Sequence, residues 1–407
     1  MHGLNNSFQT IFNKTWHTIC IICSVKKKNV IYLVSVATML LLVISCPGCK
    51  GISEGFTSVT DAITNPSARD VYAREYKNDN EMHLKWQAAF DIAKNDSITV
   101  NLPYGEKGSF IPFSNTTYSY NINLQEGEVL IANVEKDSVA QRVFIDVFKK
   151  QGLGYTHIKS NKIAENNLQL EIESTGTYKI IVQPEIISGA GFFISLVTQP
   201  QYEFPVAGKG NVDIMSFWGM ERDGGKRRHE GVDIFAKKGT PVVAAAKGTI
   251  GFTGERGIGG KQVWLRDGLF GNSLYYAHLD SIAVQAGVAV MPGDTLGFVG
   301  NTGNAKFTPP HLHFGIYKTG AVNPLPYIYK SKNISEKAFT QNYKTSLQKV
   351  KGKANLRQSP HKQSKVIGAL AGNDTIIVLG QHNEWLHVKT IGGQAAFLHK
   401  SLSKPLH

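Results

Sequence analysis

Cysteine is missing from almost the whole of this chain. All four cysteines, Cys20, Cys23, Cys46 and Cys49, lie within the first 49 of the 407 residues. The remainder of the protein therefore cannot contain a disulfide framework or a zinc site with thiolate ligands. A metal site in that part of the chain would have to be built from imidazole and carboxylate groups.

Histidine is also scarce in the central region. Between His157 and His361 the chain has four histidines, and they accompany one aspartate in three short motifs. The set is His229, Asp233, His278, His311 and His313. Catalytic zinc uses imidazole and carboxylate ligands, takes three of them from the protein and keeps one position for water. The set can supply three ligands and two further histidines for proton transfer, which favours a metal-dependent hydrolase.

The spacing within the set has a geometric reason. His311 and His313 stand two residues apart in an apolar run that predicts a strand, and such side chains share one face of a strand. Both imidazoles can then point into one cleft, one toward a metal and the other toward the substrate. His229 and Asp233 stand four apart, but Gly231 between them argues against a helix. We expect a loop that leads into a strand, where the glycine allows a close approach of the backbone.

These motifs resemble those of the lysostaphin/LytM-type zinc peptidases, which cleave the peptide part of peptidoglycan. The matching segments are Arg227-x-His229-x-Gly231-x-Asp233, Tyr276-Ala277-His278-Leu279 and His311-Leu312-His313-Phe314. The resemblance covers residues 205–330. It implies that His229, Asp233 and His313 bind one zinc ion, and that His278 and His311 form the catalytic pair. Which of those two acts as the general base stays open.

Two features depart from the pattern of this family. The segment before the third motif, residues 304–310, is longer and bulkier than the short Ser/Thr/Gly stretch of many members. Gly315 stands where an acidic residue is frequent. Both departures concern the choice of substrate rather than the metal chemistry.

The charge balance indicates an anionic partner. The formal net charge is +13, which suits nucleic acid, a membrane surface or a wall polymer. Because no nucleic-acid-binding motif is present, we expect peptidoglycan to be the partner and expect no binding of nucleic acid.

Residues 1–46 predict a lipoprotein-type signal segment. A lysine cluster precedes an apolar run over residues 30–44, which is shorter than the roughly 20 residues that a spanning helix needs. The run ends in Val43-Ile44-Ser45-Cys46, which resembles a bacterial lipobox. We expect a lipid anchor at Cys46, an extracytoplasmic or periplasm-facing location at the cell envelope, and a translation start at Val25. Cys49 as the lipidated residue, and an uncleaved signal anchor, are the alternatives.

The rest of the sequence predicts a mainly β protein with several domains. Residues 47–96 form a partly helical lead-in, with a helix over 68–95. In this helix, apolar residues including Leu84, Ala88, Phe90 and Ile92 stand among charged ones. Short alternating runs over residues 97–204 predict a β-sandwich-like domain. After the β-rich peptidase region comes a polar linker, residues 331–342. Residues 343–407 resemble a bacterial SH3 domain, a small β-barrel, which we expect to act as a tethered wall-binding module.

Three functions fit these features to different degrees. The first is a zinc-dependent endopeptidase that hydrolyses peptide cross-links in peptidoglycan. The second is a non-catalytic LytM-type activator of another wall hydrolase, but such proteins typically lose metal ligands and this chain keeps all five residues. The third is a wall-binding structural lipoprotein, which leaves the histidine set without a purpose. The endopeptidase is therefore our prediction.

Overall fold

A computed structural model of the protein describes residues 61, 64–76, 80–138, 141–269, 271–332, 334 and 346–406. The predicted signal segment, with Val25, Cys46 and Cys49, lies outside the described residues, as does most of the predicted linker. Within the described part of the chain, no helix has the length and apolar character needed to cross a membrane. The chain divides into the units Met1–Pro66 and Ser67–His407, and every helix and strand given below belongs to the second.

Two short helices precede the β structure. α1 spans Ala68–Ala73 and α2 spans Glu81–Ala93. Each follows an N-cap side chain that accepts a hydrogen bond from a backbone N–H of the first turn, Ser67 for α1 and Asn80 for α2. Such caps satisfy donors that have no partner within the helix.

The residues that α2 buries are not the four apolar ones named from the sequence. The residues that α2 buries are His83, Trp86 and Ala93. Of the predicted apolar residues, Leu84, Ala88 and Ile92 are exposed and Phe90 is half-buried. The Trp86 indole determines the orientation, because it packs against Tyr72 and Phe144 and donates a hydrogen bond to the Pro184 carbonyl at 2.9 Å. The structure thus has two helices where the sequence predicts one over residues 68–95.

Eight strands form the predicted N-terminal β-sandwich. They are β1 Tyr104–Ser109, β2 Tyr118–Leu124, β3 Glu128–Lys136, β4 Val143–Gln151, β5 Gly154–Ser160, β6 Asn167–Glu171, β7 Gly176–Pro184 and β8 Gly191–Pro200. One sheet has the order β2-β7-β4-β5, and the other contains β1-β8-β3-β6. Both sheets contribute apolar side chains to one core, for example Ile122 and Ile145 from the first and Leu130 and Ile194 from the second. The alternation at residues 97–100 produces only an isolated bridge at Thr99.

The central region is built on a second large sheet. Its strands, with a separate hairpin of β10 and β11, are β9 Ile214–Ser216, β10 Glu221–Arg222, β11 Arg227–Arg228, β12 Val232–Phe235, β13 Pro241–Val243, β14 Gly248–Glu255, β15 Lys261–Arg266, β16 Ser273–Ile282, β17 Ala289–Val290, β18 Thr295–Val299, β19 His311–Tyr317 and β20 Ala321–Val322. The main order is β17-β14-β15-β16-β19-β12-β9. A short helix, α3 Leu325–Ile328, follows. The three strands that carry predicted site residues, β16, β19 and β12, are therefore neighbours.

The C-terminal strands agree with the predicted SH3-like region. They are β21 Ser346–Val350, β22 Ala354–Arg357, β23 Val366–Leu370, β24 Thr375–His382, β25 Trp385–Thr390, β26 Ala395–His399 and β27 Ser403–Pro405. Nine buried apolar residues from these strands form a core of their own. The prediction of a mainly β protein with an SH3-like C-terminal region is confirmed.

The SH3-like strands are joined to the sandwich, which differs from the expectation of a freely tethered module. β24 pairs with β1, so that one 11-stranded sheet runs through both regions. Leu379, Trp385 and Phe397 from the SH3-like strands lie in the apolar core of the sandwich. The two regions therefore share both a hydrogen-bonded ladder and a core.

A buried carboxylate lies at this junction. Glu106 accepts hydrogen bonds from the Tyr104 hydroxyl at 2.7 Å, the Tyr120 hydroxyl at 2.9 Å and His387 Nδ1 at 3.0 Å. All four side chains are at most 1% exposed. Burial acts to raise the pKa of Glu106, but the charge of His387 and the hydrogen bonds outweigh it, so the pKa lies below its usual value. A Cβ on Gly380 would lie 2.3 Å from Glu106 Oε1, so this close packing requires glycine.

Candidate metal centre and active site

Strand alternation brings the predicted site residues to one face of the sheet. In β19, Leu312, Phe314 and Ile316 point into the apolar core, which places His311 and His313 on the opposite face. In β12, Val232 and Ile234 are in the core, so Asp233 shares the face with the histidines. Asp233 lies directly opposite His313 in the ladder, and residues opposite each other in neighbouring strands bring their side chains together.

His229 reaches the same point from the loop before β12. A Cβ on Gly231 would lie 2.7 Å from His313 Nε2 and 2.6 Å from the Phe314 carbonyl oxygen. The loop can therefore pass close to β19 only because residue 231 is glycine. This confirms the close approach that the sequence predicts at Gly231.

Three ligand-type atoms converge at this point. His229 Nε2, Asp233 Oδ1 and His313 Nδ1 are each 3.0 Å from the other two. In the described part of the chain, this is the group of His, Cys, Asp or Glu side chains whose geometry could hold a metal ion. His229 is 2% exposed and Asp233 is 8% exposed.

The hydrogen bond of His229 determines which of its ring nitrogens faces Asp233 without a hydrogen. Its Nδ1 donates to the Phe217 carbonyl oxygen at 2.9 Å. Because a carbonyl can only accept, the ring hydrogen is on Nδ1 and Nε2 presents a lone pair. That lone pair faces a carboxylate oxygen of Asp233 at 3.0 Å, and two acceptors this close require a proton or a metal cation between them. Two imidazole nitrogens and one carboxylate oxygen are a donor set that fits zinc.

Arg222 holds the second oxygen of the same carboxylate. Its Nη2 lies 3.0 Å from Asp233 Oδ2 and also donates to the Ser216 hydroxyl in the neighbouring strand. Burial acts to raise the pKa of Asp233, but the adjacent His229 and His313 imidazoles outweigh it, so the pKa lies far below its usual range. Asp233 is therefore a carboxylate with Oδ1 directed at the histidines. The sequence analysis missed Arg222, since nothing in its spacing connects it with Asp233.

His278 and His311 have matching tautomers. Nδ1 of His278 donates to the Thr302 carbonyl at 2.9 Å, and Nδ1 of His311 donates to the Pro309 carbonyl at 2.9 Å. Each ring therefore keeps a lone pair on Nε2. The two ring centres are 5.1 Å apart. Burial, together with the nearby imidazoles of His313 and His311, lowers the pKa of His278 to about 4.

His278 faces this cleft because of an unusual backbone conformation. Ala277 lies opposite His313 and belongs to the cleft face of β16, so regular alternation would direct residue 278 away from it. The φ angle of His278 is 63°, and the ladder shifts register just beyond it, between Leu279 and Ser281. Histidine is one of the few residue types that tolerate this left-handed region. The irregularity puts two successive residues on the cleft side.

The five residues line one cleft of about 620 Å³. Its wall includes a group of neighbouring aromatic rings, with ring centres 4.5 Å apart for Trp264 and Tyr275 and 5.2 Å apart for Trp264 and Tyr317. The sequence analysis missed these residues. A signal was available, because Val263 and Leu265 are core residues and alternation places Trp264 on the other face.

Two segments match known sequence families. Residues 227–324 match peptidase family M23, and residues 352–404 match the bacterial SH3 domain. The chain contains a peptidase family M23 domain. All five predicted site residues lie within the matched M23 segment, and the predicted resemblance to LytM-type peptidases with a C-terminal SH3 domain is confirmed.

The M23 domain is similar in sequence to endopeptidases of other bacteria. The L-Ala--D-Glu endopeptidase of Bacillus subtilis (strain 168) is 35% identical over 141 residues, which are 31% of this chain and 43% of that protein. The DD-carboxypeptidase/endopeptidase Mpg of Neisseria meningitidis serogroup B (strain MC58) is 43% identical over 100 residues, 24% of this chain and 22% of that protein. The chain thus spans less than half the length of either relative.

A solved structure also matches this domain. The catalytic domain of the antimicrobial peptidase lysostaphin from Staphylococcus simulans has 29% sequence identity to the chain. The match covers 31% of this chain and 91% of that domain, with a TM-score of 0.25.

Proposed function

We propose that this protein is a zinc-dependent endopeptidase that hydrolyses peptide cross-links in bacterial peptidoglycan. The observation that carries the proposal is the convergence of His229 Nε2, Asp233 Oδ1 and His313 Nδ1, each 3.0 Å from the others, in a cleft that His278 and His311 also line. The names of the two relatives, an L-Ala--D-Glu endopeptidase and a DD-carboxypeptidase/endopeptidase, support a peptide of the cell wall as substrate.

His229, Asp233 and His313 would hold the metal, and Arg222 would keep the Asp233 carboxylate in its orientation. When bound, zinc polarises the scissile carbonyl and lowers the pKa of water toward about 7. The carbonyl of Phe217 keeps the hydrogen of His229 on Nδ1, which fixes the nitrogen that faces the site.

His278 and His311 would carry the proton. Each presents an Nε2 lone pair, so either ring can accept a proton from the attacking water. The protonated ring can then donate it to the leaving amine, while the other accepts a hydrogen bond at the tetrahedral centre. The Thr302 and Pro309 carbonyls hold the two rings in these tautomers without a charged partner.

The other parts of the chain fit a location at the cell envelope. We propose that the SH3 domain contacts the wall, that the net charge of +13 favours anionic polymer, and that a lipid at Cys46 anchors the protein to a membrane on its extracytoplasmic side. We propose no nucleic-acid partner. The pairing of β24 with β1 would give the wall-binding region a fixed orientation relative to the sandwich.

Product analysis of digested wall tests this function. Purified protein with zinc is incubated with purified sacculi, and the soluble fragments are identified by mass spectrometry while new amino groups are counted. We expect cross-linked fragments to decrease, new amino termini to appear, and both changes to disappear in the His278→Ala variant. A protein that binds zinc and sacculi but releases no amine would instead be a non-catalytic regulator or a structural lipoprotein.

A further inference from the structure

A second cavity adjoins the catalytic cleft. Its volume is about 560 Å³, and it shares Trp264 and Tyr275 with the cleft. Phe252, Arg256 and Gln262 line only the second cavity. The two spaces therefore meet at the tilted rings of Trp264 and Tyr275, whose centres are 4.5 Å apart. The predicted catalytic residues line only the first space.

Hydrogen bonds and close packing hold the Trp264 and Tyr275 side chains in place. The Trp264 indole N–H donates to Gln262 Oε1 at 3.3 Å, and Gln262 Nε2 donates to the Arg256 carbonyl at 3.0 Å. Gln262 is 4% exposed. Gly259 packs so closely on the Tyr275 hydroxyl that a Cβ would lie 1.8 Å from it. A ligand would thus meet a preformed aromatic surface.

Arg256 differs from the arginines that line the catalytic cleft. Arg222, Arg227 and Arg228 form ion pairs with Asp233, Asp223 and Glu221, respectively. Among the described residues, no acidic side chain forms an ion pair with Arg256, which is exposed at the second cavity. A guanidinium beside an aromatic surface is suited to a carboxylate on an aliphatic or peptide chain.

The catalytic cleft is smaller than a whole cross-linked peptide, so such a substrate would contact the protein outside the cleft as well. A cavity of several hundred Å³ encloses a ligand of about drug size. The catalytic cleft of about 620 Å³ therefore accommodates the residues around a scissile bond, whereas a cross-linked peptide extends further on both sides. The adjoining cavity offers space for such an extension, because it borders the cleft at Trp264 and Tyr275.

We propose that this second cavity is a subsite for a carboxylate-bearing arm of the peptide substrate. The carboxylate binds the Arg256 guanidinium, and the chain leading to it lies against Trp264 and Phe252. This inference rests on the proposed function and adds a requirement for the substrate, namely a free carboxylate beyond the residues at the scissile bond. Arg256 would then determine specificity without taking part in the chemistry.

Binding of two matched peptides tests the subsite. The probes are a synthetic cross-linked peptide with free side-chain and terminal carboxylates and the same peptide with carboxamides. Dissociation constants are measured by calorimetry on the whole zinc-loaded chain in a His278→Ala background, which keeps the proposed metal ligands and slows hydrolysis. Arg256→Gln is compared with Arg266→Gln, since Arg266 is exposed on β15 and lines neither cavity.

We expect Arg256→Gln to weaken binding of the carboxylate peptide about tenfold, the loss of one charged hydrogen-bonded contact. Binding of the carboxamide peptide should change less than about twofold, and Arg266→Gln should leave both peptides unchanged within the same limit. With His278 intact, Arg256→Gln should raise KM for the carboxylate peptide and leave kcat unchanged.

The outcomes separate this inference from the proposed function. Equal effects of Arg256→Gln on the two peptides, or no effect on either, would overturn the subsite even if the unsubstituted protein cleaves both. A selective loss of carboxylate binding in a protein that hydrolyses neither peptide would support the subsite and overturn the endopeptidase proposal.

Discussion

Two buried clusters in this protein each place a carboxylate beside histidine, and they differ in hydrogen-bonding and in access to solvent. Asp233 lies with His229 and His313 at 3.0 Å, and Glu106 lies with His387 at 3.0 Å. Glu106 also receives hydrogens from two tyrosine hydroxyls, so each of its contacts has a donor. At Asp233 the facing Nε2 of His229 has no hydrogen to give, because that hydrogen is on Nδ1. Residue type and burial alone therefore do not identify a metal site.

Access separates the two clusters as clearly as hydrogen-bonding does. Glu106 and His387 are sealed between the sandwich and the SH3 strands, each at most 1% exposed. Asp233 and His313 line a cleft of about 620 Å³. A buried polar group whose partners satisfy it contributes to structure, whereas facing acceptors beside an open cleft indicate chemistry. Substitutions in the two clusters should thus have opposite consequences.

Removing a ligand from the open cluster should have the largest effect. We expect His313→Ala to lose stoichiometric zinc and all measurable peptide hydrolysis, because two ligands remain where a catalytic site needs three. Metal content by mass spectrometry and turnover on sacculi are the measurements. His387→Ala is the matched control and should keep one zinc per folded chain. Full zinc and activity in His313→Ala would remove this residue from the site.

Substitution of the proton-carrying histidines should separate binding from chemistry. His278→Ala and His311→Ala should each keep zinc but lose about 10²–10⁴ in turnover, the usual contribution of a positioned acid or base. Turnover on sacculi, with zinc content measured on the same sample, checks this. A variant with near-unsubstituted turnover would show that its imidazole has no part in the reaction.

The sealed cluster should affect stability and not metal. Glu106→Ala leaves His387 and two tyrosine hydroxyls without their buried acceptor, and we expect a loss of about 3–5 kcal/mol in the free energy of unfolding. Urea denaturation followed by circular dichroism measures it. Zinc content per folded chain should not change. A stability loss well below this range would mean that the SH3 strands separate from the sandwich at little cost.

The Glu106 cluster also determines how the free energy of unfolding should change with pH. Because the pKa of Glu106 is lower in the folded protein, its stabilisation is complete above the unfolded pKa of about 4.3 and is lost as pH falls through the folded value. Glu106→Gln should therefore reduce the loss of stability on acidification. Denaturation midpoints of both proteins between neutral and acidic pH test this, and parallel curves would contradict it.

Arg222 should have the smallest effect on the open cluster. Arg222→Ala removes the donor to Asp233 Oδ2 and leaves all three ligand atoms, so zinc affinity should fall about 10–100-fold, the usual cost of losing an outer partner of a ligand. Competition with a chelator of known affinity measures it. Arg222→Lys should restore part of the loss by supplying a cation. Unchanged affinity in Arg222→Ala would mean that the strand alone positions the carboxylate.

Local patterns predicted most of the open cluster. His311 and His313 share a face because strands have a period of two, and Gly231 indicated a close backbone approach; both are local properties of the sequence. His278 was found by its motif, but its φ of 63° was not predictable, since strand alternation alone would turn it away. Arg222 was missed because its contact with Asp233 depends on the turn between β10 and β11.

Long-range contacts explain what else was missed. Glu106 and His387 are separated by 281 positions, and no local periodicity connects β1 with β24. The SH3-like region itself was predicted. Its union with the sandwich sheet was not, because the pattern of one strand does not specify which edge it pairs with. The side chains that α2 buries were not predicted for a similar reason, since Trp86 packs against Phe144, which is distant in the sequence.

Zinc K-edge X-ray absorption on the zinc-loaded chain tests the central claim most directly. The open cluster predicts two imidazole nitrogens and two oxygen atoms, one from Asp233 and one from water, at about 2.0–2.2 Å in a four-coordinate tetrahedral shell. The Asp233→Ala variant should lose this spectrum, and Glu106→Ala should keep it. A shell with three or more imidazoles would mean that His278 or His311 binds the metal, and would contradict the assignment of His229, Asp233 and His313 as the complete set of protein ligands.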